Sequence, residues 1–585
     1  MTERVDLTSL GPRDTELLGR VVRDLRSQFD ALAEEAGHGH RSQIDWLVGA
    51  IASRDPGVSD LFTRCCLLVF AQTVLADRCI DGFEVHDPPL ARTLRAHFAA
   101  TGRPVQVVCR GWWRWWIRSL WRLVSEYLSA LLIVARRLRA RSGKRSRVPL
   151  PEGSILIDTF VLGETGRGGF HDGKYRDGYY PGLLSNAGTD LRDRVVFTPM
   201  VLGRCSHRRV VAGLARDRRR FRFRDDVLEL GDYLFALAHP LRILSQRIPS
   251  VELADFDVTG LVRSEARLGS TNWSSIAALL NYRFVKRLAE RGEQPQLLVE
   301  WYENQVIDKG MILGFREFSP ETRIIGYQGF IVSSTINIHR RPSEHEREAG
   351  AIPDRIVVVG DGLIQQAKAD CPSLDVVSGP AFRFARVHEP LRRKPDSDRI
   401  SVLLLLPIAS APSLEMFRVV GAAARGALAG KGIRFLVRAH PSQGSDVRRA
   451  LSGASWFERS EGDLYTTLDS VDVLVGSGSS ACVEALARQV PVIILGGDGG
   501  FDDNPIPSEV SGDVWSRCRD GESLVRAIDR FGYAGPALRR SLAETRGLLL
   551  SRYFNPVTPE TVRQFLEADG LDEPVRSAGR NPLWR

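Results

Sequence analysis

The eight cysteines of this 585-residue chain (Cys65, Cys66, Cys79, Cys109, Cys205, Cys371, Cys482 and Cys518) include no CxxC pair and no cysteine–histidine cluster at metal-ligand spacing. Neither a zinc site nor a disulfide framework is therefore indicated, and a reducing, cytosolic compartment is expected. Secretion through a signal peptide is not expected either: MTERVDLTSLGPRDTELLGR is polar and charged where a signal peptide needs an apolar core. No internal repeat or long low-complexity tract is evident. In the most basic segment the uncharged stretch, Tyr127 to Ala135, falls far short of the roughly 20 residues that span a bilayer.

Apolar residues, by contrast, are plentiful. With 43% hydrophobic content the chain can bury more than one core, so two or three domains are expected. The net charge of +9, from 80 basic and 71 acidic residues, is modest for the length but unevenly placed. It concentrates in CRGWWRWWIRSLWRLVSEYLSALLIVARRLRARSGKRSR, Cys109 to Arg147, where Glu126 is the sole acid. At helical spacing Trp112, Trp113, Trp116, Leu120, Val124, Tyr127, Leu128 and Leu131 fall on one side, and Arg114, Arg118, Arg122 and Glu126 recur on the other. Tryptophans beside arginines suit the headgroup layer of a membrane, so one reading is an interfacial anchor holding the protein on the inner face of the cytoplasmic membrane. The other reading is a core helix followed by a basic linker. Nucleic acid is not expected as a partner, because no recognisable nucleic-acid module surrounds the patch.

Residues 1–148 read as a mainly helical accessory region that includes this segment at 109–147. After it the texture changes to alternating strands and helices. SILIDTFVLG (Ser154 to Gly163), RVVFTPMVLG, QPQLLVEWYENQ, TRIIGYQGF and DRIVVVGDG mark a first α/β domain over 149–390, with parallel strands and crossover helices. RVHEPLRRKPDSDR, Arg386 to Arg399, is a polar, proline-bearing linker. ISVLLLLPIAS, IRFLVRAHP, VDVLVGSGSSACVEAL and VPVIILGG then mark a second open α/β domain over 391–585. In such sheets ligands bind beyond the carboxyl ends of the strands, so the residues just after each strand are the informative ones.

Two of these strand ends suit an anion. IRFLVRAHP delivers Arg438 and His440, with Pro441 breaking the run. VDVLVGSGSSACVEAL places Ser477, Gly478, Ser479 and Ser480 before a helix whose free N–H groups and positive dipole end favour phosphate, while Glu484, one turn on, would accept ribose hydroxyls. A serine/glycine turn there is also an ordinary N-cap. The ordered pair of motifs resembles the nucleotide-sugar glycosyltransferases of the GT-B fold, in which two Rossmann-like domains face a cleft. It is similar in particular to bacterial sialyl- and Kdo-transferases using CMP-activated sugars, and to the glycerophosphotransferases of teichoic-acid synthesis. The resemblance covers roughly residues 400–500 and implies that His440, Ser479, Ser480 and Ser477 hold the donor phosphate.

PQLLVEWYENQVIDKGMILGFREFSPETRIIGYQGF, Pro295 to Phe330, resembles a surface-carbohydrate biosynthesis pattern in which one strand ends in a glutamate and the next in GYQ. Glu303, Asn304 and Gln305 follow the first strand, and Gln328 and Gly329 close the second, so both ends would line the interdomain cleft. Inverting transfer needs a general base within hydrogen-bond reach of the acceptor hydroxyl. Glu303 is the first candidate, Glu300 the second, and Asp172 and Asp177 of the glycine-rich loop the third; alternatively, Glu300 and Glu303 merely cap the next helix. NIHRRPSEHERE, with His339, Glu344 and His345, reads as a solvated charged loop whose Arg340 and Arg341 would help bind an acidic acceptor. FDDNP, Phe501 to Pro505, lacks the DxD spacing of metal-binding transferases, so no metal and no cofactor are expected. Arg438, His440 and the helix end would stabilise the leaving group instead.

These readings converge on an inverting, metal-independent glycosyltransferase. Its partners would be a nucleotide-sugar donor, favoured as a CMP-activated acidic sugar, a surface polysaccharide or lipid-linked glycan acceptor, and the membrane surface. The alternatives are a polyol-phosphate transferase on the same fold, a non-catalytic partner in a polysaccharide assembly complex, and a nucleotide-sugar epimerase.

Overall fold

A computed structural model describes residues 4–40, 43–103, 105–141, 149–161, 169–171, 174–202, 206–331, 338–392, 399–440, 444–496, 504–533 and 535–567. Its architecture is α/β, built on two six-stranded sheets in which every neighbouring pair is parallel. Helices cover both faces of such sheets, which is why the strands read as unbroken apolar runs: Ile155–Val161 is buried throughout, as are Val473–Gly476 and Val492–Leu495.

The first sheet runs Val195–Val201, Ile155–Val161, Leu297–Trp301, Arg323–Gln328, Arg355–Val358, Val376–Ser378 across its width. Numbered along the chain this order is 2-1-3-4-5-6, so the winding reverses between Ile155–Val161 and Leu297–Trp301. The second sheet runs Glu458–Arg459, Arg434–Arg438, Ser401–Leu405, Val473–Gly476, Val492–Leu495, Trp515–Cys518, the order 3-2-1-4-5-6 of a Rossmann sheet. Here the reversal lies between Ser401–Leu405 and Val473–Gly476.

Two features depart from the sequence-drawn boundaries. The last described helix does not stay with the second sheet. After helix Pro536–Arg552 the chain returns to the first domain, where Asn555 N donates to Val359 O (2.8 Å) and its carbonyl accepts from Ala381 N (3.0 Å). Phe565, in helix Pro559–Glu567, then packs on Tyr327 and Phe382. The accessory region also contains a small parallel sheet of Arg4–Asp6, Gly82–Val85 and Gln106–Cys109, whose strands of three or four residues are too short to show a period of two. Its core, with Phe29, Trp46 and Phe83, is shared with Leu253, Phe256 and Leu261 of the first domain.

The Trp/Arg segment forms one helix, Trp112–Ala140, about 43 Å long at 1.5 Å per residue. Only Ala130, Val134 and Arg137 of it are buried, whereas Trp112 is 58% and Trp121 71% exposed. The core-helix reading therefore fails, because the tryptophans face outward. Among the described residues no helix is long and apolar enough to cross a membrane.

Candidate active site

On the second sheet, strands Arg434–Arg438 and Val473–Gly476 flank Ser401–Leu405, so their ends stand two strand spacings apart, about 10 Å. Arg438 and His440 leave one end and Ser477–Ser480 the other, on either side of the crevice where the winding reverses. Arg438 is aimed by a 2.7 Å bond from its Nη2 to Gly462 O. The serine loop is tightly formed. Ser479 caps helix Ser480–Ala487, its Oγ accepting from Ala481 N (3.3 Å), and Cys482 Sγ donates to Ser477 O (3.3 Å). Gly478 is left exposed, with Ser477 and Ser479 half-buried beside it.

Two residues expected at the donor do other work. Ser480 Oγ bridges to the first domain, donating to Ile331 O and accepting from Ile331 N, both 3.2 Å. Glu484 is 2% exposed, and its Oε2 accepts from Tyr465 Oη (2.6 Å), because its place on the helix turns it inward rather than toward a ribose.

On the first sheet the winding reverses beside Leu297–Trp301, and the chain leaves that strand as Tyr302, Glu303, Asn304 and Gln305. Glu303 keeps about a quarter of its side chain exposed. Trp301 Nε1 donates to it at 3.0 Å, Arg340 Nη2 at 3.3 Å and Gln305 Nε2 at 3.4 Å. It does not cap helix Val306–Phe318; Gln305 does, with Asp308 accepting from the N–H groups of Glu303 and Gln305 at 2.9 Å each. Glu300 is excluded as the base. It is 1% exposed, and burial, reinforced by Asp308 and Asp158, raises its pKa well above the usual carboxyl value, so the neutral form is favoured.

Behind Glu303, Gln328 is buried with its Nε2 on Arg340 O (3.4 Å), so it braces the backbone and does not open to the cleft. Gly329 lies against the Trp301 indole and the Tyr327 ring with no room for a Cβ. Asp172 lies outside the described residues. Asp177 is enclosed in a turn, accepting from Tyr179 N (2.8 Å) and Tyr180 N (3.1 Å), which makes it structural.

The loop expected to be solvated is instead largely packed. His339 is 2% exposed, and burial, aided by Arg340, Arg54 and Lys309, pushes its pKa well below the usual imidazole value. Arg341 pairs with Asp370 at 2.8 Å, and Glu344 and His345 are half-buried. Asn304, held at φ 54, a left-handed backbone asparagine tolerates, donates from Nδ2 to His339 O (2.7 Å) and to Glu346 Oε2 (3.1 Å). Glu346 is buried between Arg54 and Lys309, whose Nζ is 2.7 Å away. Burial alone would raise its carboxyl, but these two cations hold it down to about 2. Arg54 also meets Asp30 at 2.7 Å, so the accessory region is tied to the strap that carries Glu303.

Sequence reasoning also missed Arg383, which lies 5.3 Å over the Trp301 ring from the far end of the sheet's last strand. With Arg340 it adds positive charge on the Trp301 side of Glu303, which also has Asp55 and Asp308 as carboxylate neighbours. The Ser480–Ile331 contact shows that the carboxyl ends of the two sheets meet. Among the described residues, the group able to share a cation is Asp6, Glu84 and His86 on the small N-terminal sheet, where Arg110 Nε already pairs with Glu84 at 2.9 Å.

No protein-family model matches the sequence, and no curated protein matches it. Several solved structures resemble the fold loosely. The glycotransferase of kitacinnamycin aligns at 12% identity and TM-score 0.40, over 72% of this chain and 100% of its own. CalG4, the calicheamicin glycosyltransferase, gives 14% and 0.40 over 72% and 98%. The S. aureus MnaA–UDP co-structure gives 9% and 0.41 over 71% and 97%.

Proposed function

We propose that this chain is a GT-B-type glycosyltransferase working at the junction of its two parallel sheets. The observation that supports the reading is that Ser480 Oγ bonds to the Ile331 backbone, so the carboxyl ends of the two sheets meet; on this reading Arg438, His440 and Ser477–Ser479 form one wall of the junction and Glu303 the other. A donor phosphate would sit between Arg438, His440 and the serine loop, where N–H groups and fixed positive charge stabilise the negative charge that grows on the leaving nucleotide. Glu303 would take the proton of the acceptor hydroxyl as that oxygen bonds to the anomeric carbon, giving inversion without a metal. Arg340 and Arg383 suit an acidic sugar or a phosphate on the acceptor.

A CMP-activated acidic sugar is the favoured donor and a surface polysaccharide or its lipid-linked precursor the acceptor. The exposed helix Trp112–Ala140 supports work at the inner face of the cytoplasmic membrane. The test is product mass after incubating the full chain with a lipid-linked glycan extract and either a CMP-activated acidic sugar or a CDP-activated polyol. A mass gain of one sugar, absent with Glu303→Gln, supports the reading. A gain of one polyol phosphate would replace it with phosphotransfer, and no product from a nucleotide-binding wild type would favour the assembly partner.

A further inference from the structure

Helix Trp112–Ala140 does not stand alone at the surface. Tyr127 Oη donates to Leu237 O (3.1 Å), and Arg137 and Tyr233 both bond to Asp225 Oδ1 at 2.7 Å, so helix Leu230–Leu237 lies against it. Tyr233 turns into the core, which leaves Leu230 and Leu234, four residues apart, pointing outward at 60% exposure each. The following short helix, His239–Leu244, continues the row with Leu241 at 75% and Leu244 at 51%. Four outward leucines in one short stretch, with outward Trp116, Trp121 and Leu128 on the neighbouring helix, are large apolar side chains left uncovered on adjoining elements.

The long helix itself is strongly basic, with Glu126, paired to Arg122 at 3.0 Å, as its sole acid, while Asp60, Asp225 and Glu229 lie at its flanks. Among the described residues, Arg114, Arg118, Arg136 and Arg139 of the long helix have no carboxylate partner, so this helix carries a run of uncompensated positive charge. Arg114 and Arg118 line an open recess with Arg110, His86, Trp113 and Trp115 at the helix start. Past its end the sequence continues with Lys144, Arg145 and Arg147. Apolar side chains bracketed by cations complement an anionic lipid surface: the leucines and tryptophans enter the boundary region while the guanidinium groups stay at headgroup level. A second copy of the chain would bring the same unpaired cations into opposition.

We infer that helix Trp112–Ala140 and the Leu230–Leu244 row form one two-pronged docking face for an anionic phospholipid bilayer, with the Arg114/Arg118 recess receiving lipid phosphate. This deepens the proposed anchoring, on which it rests, by adding a second apolar prong and a headgroup site that fix the protein's orientation on the membrane.

The test is flotation of the full chain with vesicles of phosphatidylcholine, alone or mixed with phosphatidylglycerol. Wild type is expected to float with the mixed vesicles. Arg114→Gln with Arg118→Gln should weaken that binding roughly 25-fold, about fivefold per cation, and leave binding to phosphatidylcholine alone unchanged. Leu234→Glu with Leu241→Glu should weaken both by more than about tenfold. Leu230→Gln with Leu244→Gln repeats the test with milder changes, and unchanged thermal midpoints certify folding. Wild type that floats with neither vesicle overturns the anchoring itself, whereas nucleotide binding in solution tests transfer separately. If wild type floats and both leucine pairs float equally well, the second prong is refuted. A concentration-dependent dimer abolished by Leu241→Glu would make the face a contact between copies instead.

Discussion

Replacing Glu346 by glutamine should unlock the strap that presents Glu303. In the native protein the Glu346 carboxylate is shared by Arg54 and Lys309, both nearly fully buried, and one of its oxygens accepts from Asn304 Nδ2. Glutamine keeps the shape but leaves buried Lys309 facing a neutral group and Arg54 with Asp30 alone, a loss of about 3–5 kcal/mol. Proton linkage gives a similar figure. A fully buried carboxyl that moves from 4.5 to about 2 on folding contributes on the order of 3 kcal/mol. The folded pKa is depressed, so this stability is fully present above the unfolded value near 4.5 and is lost as pH falls toward 2. Urea unfolding of wild type and Glu346→Gln at pH 7, 4 and 3 is the assay. The variant should be weaker by about 3 kcal/mol at pH 7, with the gap closing at lower pH. Equal stability at pH 7, or a gap independent of pH, would refute the reasoning.

Other outcomes follow from the same geometry. Glu303→Gln keeps an acceptor for Trp301 Nε1 but removes the base, so turnover should fall on the order of 10²- to 10⁴-fold with donor affinity unchanged, read from transfer kinetics and donor titration. Gly329→Ala would push a methyl into the Trp301 indole and lower stability by about 1–3 kcal/mol in chemical denaturation. Turnover should persist in EDTA, because Arg438, His440 and the helix end supply the positive charge; abolition restored by Mg²⁺ or Mn²⁺ would contradict that.

The parts legible in the sequence are those encoded locally. Unbroken apolar strands followed by RAH and GSGSS locate the second sheet's crevice, and WYENQ locates Glu303, because a strand end is defined by its own neighbours. Pairings between distant residues were not legible. Arg54 and Glu346 are 292 positions apart and Ser480 and Ile331 149 apart, so no spacing rule brings them together. The direction of Glu484 is also hidden, since one helical turn separates a cradle-facing position from the buried one at which Glu484 meets Tyr465. In the same way the exposure of the tryptophan row depends on which side of the helix its neighbours cover, and those neighbours, at 207–214 and 273–290, come much later in the chain.

The most direct test of the central claim is thermal stabilisation of the full chain by CMP, CDP, UDP, GDP and their sugar conjugates, repeated with His440→Ala. A ligand bound only by the native state raises its melting temperature by mass action. The account predicts a shift for one nucleotide class that is lost in His440→Ala. A well-folded wild type that no nucleotide stabilises, or a shift that His440→Ala retains in full, would contradict it.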